Sequence, residues 1–278
     1  MDSGIGDYNR LWLTNTLRGI CNFDLTIKCL TKGIHSGKGS GIAPESFMIL
    51  RSLLARIENS TNGILKSFET EIPEYYKNSA KTAAEIIGKP YIPLLPGVKY
   101  MEEDAVNLLL NNYWKPSLAI VGAEGLPAMP VAGNVLRPFT TVRISIRTPP
   151  NFDCNIGGQI IDNTFNKDIP FNAKIEIKNK VLANGVLCPL PSEKLKVSLN
   201  KVSKAFFDND FAEVGVGGSI PFINILATKY PNSLFVITGC VNNDSNIHGP
   251  NENLKLDYCK KFISSLSYLI SDYKSYMN

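Results

Sequence analysis

Residues 139–147, FTTVRISIR, decide how the middle of this chain folds. Val142, Ile144 and Ile146 alternate with Thr141, Arg143, Ser145 and Arg147, a period of two that puts an apolar row on one strand face and a polar row on the other. Two arginines therefore share the face opposite the core. The same alternation appears upstream in FDLTIKCL (23–30), with Phe23, Leu25, Ile27 and Cys29 on one side, and downstream at Ala173, Ile175 and Ile177. Residues 117–122 add a further strand. Together these predict a small, mostly antiparallel sheet with helices on one side.

Between the strands the punctuation is strong. GIHSGKGSGIAP (33–44) is glycine-rich and leads to Pro44, which suits the first turn of a helix whose apolar positions are Phe47, Leu50, Leu54 and Ile57. Residues 72–112 read as helical pieces interrupted by KPYIPLLPGVKY, where each proline biases its predecessor away from helix. The C-terminal third differs in character. LFVI (234–237) is continuously apolar, as in a strand buried on both faces of an α/β sheet, which implies a second domain. A closing helix from about 254 to 273 carries Tyr258, Phe262, Leu266, Leu269, Ile270 and Tyr273 as a stripe that should pack on a sheet.

Composition is that of a globular protein: 278 residues, 44% hydrophobic and 19% charged. No apolar run reaches the roughly 18 residues of a membrane span, and MDSGIGDYNR lacks the layout of a signal peptide. The six cysteines form no CxxC pair, which favours free thiols in a reducing cytoplasm over a disulfide framework. A net charge of +4 without basic clusters interleaved with aromatics argues against nucleic acid as a partner.

Few residues are candidates for chemistry. His35 and His248 are the only histidines, both in loop-forming contexts (IHSGKGSG and SNIHGPNEN), against a bland reading as exposed loop residues. GVGGSIPF (215–222) resembles an anion-binding turn before a helix, although its spacing matches neither GxGxxG nor the Walker loop, and a tight connection is the plainer reading. Arg143 and Arg147 suit bidentate capture of a carboxylate, or a solvated sheet face. Asp2 and Asp7 read on composition alone as terminal-loop residues.

Taken together and in order, DSGIGDYNRLWLTNTLRG, IHSGKGSGIAPESF, AGNVLRPF with VRISIRTPP, VGGSIPF and SNIHGPNEN resemble the dinuclear zinc metallopeptidase family that includes carnosinase, succinyl-diaminopimelate desuccinylase and aminoacylase. The match is to the C-terminal part of that family. The resemblance implies an α/β catalytic domain with an inserted α+β lid that is also the dimerisation domain. On this mapping residues 1–18 and 197–278 belong to the catalytic domain and 19–196 to the lid. It implies zinc as cofactor, a small peptide as substrate and a homodimer through the lid; composition adds the expectation of no nucleic-acid and no membrane partner.

Carried over by position, Asp2 matches a carboxylate ligand of one zinc and His248 the imidazole ligand of the other. His35 resembles the lid histidine that crosses the dimer to support the scissile carbonyl oxygen. Asn134 matches a lid residue near the substrate, Arg147 the arginine that holds the substrate carboxylate, and Gly217, Gly218 and Ser219 the pocket-lining turn. Two departures follow. The family's upstream His-x-Asp and Glu-Glu pairs, which supply further ligands and the general base, have no counterpart here, and Val216 stands where close relatives have glutamate. With one candidate ligand per metal, zinc binding is expected to be weak or absent and this chain inactive alone. The alternatives are a non-catalytic lid protein that dimerises with full-length relatives, and a small-molecule binding module without catalysis. The C-terminal portion, short of its neighbours, is expected to be looser than the lid.

Overall fold

The computed structural model describes residues 3–230, 233–272 and 274. In chain order its elements are β1 (Trp12–Leu17), β2 (Gly19–Lys28), β3 (Ile34–His35), α1 (Ser36–Gly39), α2 (Ser46–Leu54), α3 (Glu74–Ile87), α4 (Ala105–Tyr113), β4 (Ser117–Glu124), β5 (Val135–Leu136), β6 (Phe139–Thr148), α5 (Cys154–Asn166), β7 (Lys174–Ala183), β8 (Val186–Leu187), α6 (Glu193–Phe207), β9 (Ala212–Val216), α7 (Pro221–Lys229) and α8 (Leu256–Ser271). The class is mixed α/β, as the alternating segments predict. None of the described helices is long and apolar enough to cross a membrane.

Two compact units emerge, one from Met1–Arg18, Glu71–Trp114 and Val186–Asn278, the other from Gly19–Thr70 and Lys115–Gly185. This grouping differs from a continuous 19–196 lid. Residues 71–114 leave the second unit because α3 and α4 pack on β9 of the first, burying Ala80, Ala83, Leu109 and Leu110 beside Trp12 and Val214.

The second unit is an antiparallel sheet of order β4-β6-β2-β7. Its register sets Phe23 opposite Ile144, Leu25 opposite Val142 and Cys21 opposite Ile146, so the alternating residues of β2 and β6 form one apolar face. Helices α2 and α5 cover that face. The α2 helix begins later than Pro44 suggests: Glu45 is its cap, its carboxylate accepting from the Phe47 and Met48 N–H groups at 2.9 and 2.7 Å. The buried positions are Ser46, Ile49, Leu50 and Leu53, whereas Phe47 is 39% exposed. A hydrogen bond of 2.8 Å between Ser46 Oγ and Thr140 Oγ1 turns this face, rather than that of Phe47, onto the sheet. In α5, Gly157 is required by close approach, since a Cβ there would lie 3.0 Å from Cys21 Sγ.

The first unit holds the three-stranded sheet β8-β1-β9, with β1 and β9 parallel and β8 antiparallel. Every residue of β1 is buried, which explains why it shows no alternation. The strand expected at 234–237 is not a regular strand. This stretch runs beside β1 with a single backbone bond from Thr14 N–H to Ile237 O (2.7 Å), and Gly4 and Val241 form an isolated parallel bridge. The edge of β1 opposite β9 is taken at Thr16 and Leu17 by β8, which leaves 234–241 little of it to pair with. The closing helix packs on α6 rather than on a sheet. It buries Tyr258, Phe262, Ser265 and Leu269, leaves Ile270 75% exposed, and its Tyr273 lies outside the described residues.

Candidate functional site

In the second unit, β3 pairs with β5, placing His35 opposite Val135 and next to Asn134, whose carbonyl accepts from Ser36 N–H at 2.8 Å. The structure thus brings His35 and Asn134 together on an exposed tip. The His35 side chain caps α1, its Nδ1 accepting from Gly37 N–H at 3.1 Å. An accepting Nδ1 leaves the proton of the neutral ring on Nε2, so the outward-facing nitrogen is a donor.

The two arginines are distinguished by their partners. Arg143 grips Asp24 bidentately at 2.7 and 2.9 Å, and Asn179 Nδ2 donates to the same carboxylate at 2.7 Å. These contacts hold the Asp24 carboxyl down to about 2. Arg147 lies between Ile20 and Ser117 in the ladder, half-buried, and burial lowers its pKa without threatening its charge. Arg147 is eight residues along β6 from Phe139, the end nearest Asn134, a span of roughly 26 Å at strand rise. One copy of the unit therefore carries His35 with Asn134 on the β3-β5 ladder before the Phe139 end of β6, and Arg147 at the other end of β6.

In the first unit, Gly217, Gly218 and Ser219 form the turn between β9 and α7. Arg18, buried, holds it: its Nε donates to Gly217 O at 3.0 Å, and Ser219 Oγ donates to Arg18 O at 2.6 Å. Gly217 also makes room for a side chain, because a Cβ there would lie 2.8 Å from the Asn112 amide. A cavity of about 170 Å³ opens beside the turn, lined among others by Gly4, Gly6, Asn112, Tyr113, Val216 and Asn242. No sequence motif marks Asn112, Tyr113 or Asn242: the packing of α4 onto β9 brings the first two to the turn, and Asn242 is held there by donating to Gly6 O at 3.2 Å.

His248 sits in the exposed loop that follows 242, with a positive φ of 62°. Its N–H donates to Glu252 Oε2 at 3.1 Å. The loop is anchored by Asp244, which accepts from the Tyr8 hydroxyl, pairs with Lys255 Nζ at 3.0 Å and is held below the usual carboxylate range by both. Asp2 lies outside the described residues. Asp7 is structural: its Oδ1 accepts from Asn9 N–H and from Trp12 Nε1, each at 3.0 Å.

Among the described residues no group of three or more His, Cys, Asp or Glu side chains is placed to hold a metal ion. A catalytic zinc takes three protein ligands, so the donor set among the described residues does not fit a two-zinc centre. All six cysteines are free thiols.

No protein-family model matches the chain. It is 23% identical over 257 residues to the cysteinylglycine-S-conjugate dipeptidase of Corynebacterium striatum, a match covering 87% of this chain and 52% of that protein. In fold it matches an M20 family metallo-carboxypeptidase from Sulfolobus solfataricus with a TM-score of 0.74 at 17% identity, over 96% of this chain and 61% of the other. Human carnosine dipeptidase 1 matches with a TM-score of 0.69 at 18% identity, over 96% and 57%. At these identities the solved structures establish the fold alone. The chain spans about half the length of the dipeptidase from C. striatum.

Proposed function

We propose that this chain, similar to metallopeptidases of the carnosinase type, is the C-terminal part of a zinc-dependent enzyme that hydrolyses small peptides. It carries substrate-positioning elements and lacks most of the zinc centre. The similarity to a curated dipeptidase over 87% of the chain supports this reading, as does a fold shared with two metallopeptidases. The carrying observation is the separation of His35, on the two-stranded β3-β5 sheet, from Arg147, at the far end of β6 in the same unit, which suits residues that serve two different sites of a dimer.

In the complete enzyme the two zinc ions would activate water, and His248 and Asp2 would be their contributors from this chain. The remaining roles belong to residues that need no metal. His35 donates from Nε2 to the scissile carbonyl oxygen as negative charge develops there, in the site of the partner copy. Arg147 holds the substrate carboxylate, Asn134 contacts the substrate, and Gly217, Gly218 and Ser219 line the pocket. Val216 offers no carboxylate for a substrate amine. The four-stranded unit would be the lid and dimerisation domain, the other unit a partial catalytic domain, and the setting cytoplasmic.

A second reading, a non-catalytic protein that pairs with full-length relatives through the same lid, is favoured by the same separation, since His35 then acts in trans without a zinc site of its own. The test is hydrolysis by a full-length relative whose own lid histidine is replaced, with this chain added. Restored turnover that disappears with His35→Ala supports the trans role, and no restoration refutes it. An in-frame upstream His-x-Asp followed by Glu-Glu distinguishes the part of an enzyme from the pairing protein.

A further inference from the structure

Helix α3 is fastened to the three-stranded sheet by three polar ties: Tyr75 OH to Glu213 Oε2 on β9, Asn15 Nδ2 on β1 to Ser79 Oγ (2.8 Å), and Tyr76 OH to Cys188 O after β8 (3.2 Å). Glu213 is the only carboxylate among them. Its Oε1 is enclosed and receives no hydrogen bond of acceptable geometry from a described group. A carboxylate anion enclosed with one oxygen unmet is costly, whereas the protonated acid loses far less on burial.

We propose that Glu213 and Tyr75 form a proton-sensitive latch that holds helix α3 on the sheet, closed when Glu213 is protonated and loosened when it ionises. The groups facing this carboxyl pull in both directions, and burial decides the sign. Tyr75 and Tyr76 on α3 and the Cys188 thiol are neutral, and burial pushes all three upward, Tyr76 and Cys188 to about 12. On α6, Lys196 favours the anion, but it lies 2.8 Å from Glu193 and over the Tyr75 ring, so its charge is shared. Burial outweighs the Tyr75 hydrogen bond, the Lys196 charge and the nearby Asn15 amide, and the Glu213 carboxyl is raised above the usual range. A raised folded value means the closed form binds more protons than the open one. The latch is therefore firm below the ordinary carboxylate value and weakens as pH climbs from there through the raised one.

The test is amide hydrogen exchange on the full chain from pH 4.5 to 8, corrected for intrinsic exchange, with the four-stranded unit as internal control. In the wild type the opening constant of α3 is expected to grow by up to about tenfold per pH unit across the window, the limit for one linked proton, while β2 and β6 stay level. Glu213→Gln should abolish the slope. Tyr75→Phe, which removes the donor that steadies the anion, should enlarge it. A wild-type α3 with no slope, a slope retained in Glu213→Gln, or parallel loss in α3 and β2 would each overturn the latch.

Discussion

The two units solve the same problem differently. In the four-stranded unit, β6 and β2 are laddered on both sides, α2 and α5 cover the apolar face, and the register repeats across nearly every residue. In the other, the sheet has three strands, one only two residues long, and 234–241 reaches β1 by one backbone bond to Thr14 and reaches 4–5 through Val241. That unit also leaves Tyr91, Ile92, Leu95, Val98 and Met101 at least half exposed on a single loop. The contrast teaches that one unit satisfies its own backbone and the other depends on side-chain ties among three separated segments.

The sharpest way to break this contrast is to hollow the self-sufficient unit. Phe23 is fully buried against Phe165, and Phe23→Ala should cost about 3–5 kcal/mol there. Urea melts followed by hydrogen exchange should show β2 and β6 losing protection together, and piecemeal loss would contradict a single cooperative core. A smaller effect is expected where the other unit is pinned by close backbone approach. A Cβ on Gly239 would lie 1.6 Å from Ser3 O, so Gly239→Ala should cost about 1–3 kcal/mol and release the 234–241 stretch, with faster exchange at Thr14 as the readout.

The smallest effect concerns the polar sheet face. Asp24 is held at about 2, so its contribution is complete above the ordinary carboxylate range and fades as pH falls toward about 2. Arg143 is 55% exposed and the pair is solvent-screened, so Asp24→Asn should remove less than about 1 kcal/mol near neutrality. Wild-type melts should show acid sensitivity between pH 4 and 2, and the variant should lose that part of it.

Legibility in the sequence follows the same division. Strands β2, β6 and β7 were readable because a one-sided sheet imposes strict alternation on Phe23 to Ile27 and Val142 to Ile146. Strand β1 was not, since a strand buried on both faces tolerates Thr14, Asn15 and Thr16 wherever partners await them, here Ser3 for Thr14 and Ser79 for Asn15. The apolar run Leu234–Ile237 announced burial correctly at Ile237 but not a ladder, which depends on what lies alongside. Of the site, His35 stands out in a glycine-rich loop and Asn134 comes only from the resemblance; their juxtaposition depends on the long-range pairing of β3 with β5. Alternation alone puts Arg143 and Arg147 on one face; the resemblance names Arg147, and the structure adds that Arg143 is paired with Asp24 across the ladder. Asn112, Asn242 and Glu213 acquire meaning only from contacts across many residues.

The central proposal is that this chain carries substrate-positioning residues while its described residues do not supply the ligands of a two-zinc centre. Zinc stoichiometry measured together with dipeptide hydrolysis on the purified full chain tests it most directly. The account predicts no tightly bound zinc pair and no turnover, with both appearing once a segment supplying the His-x-Asp and Glu-Glu pairs is added. Two tightly held zinc ions with hydrolysis by the chain alone would contradict it.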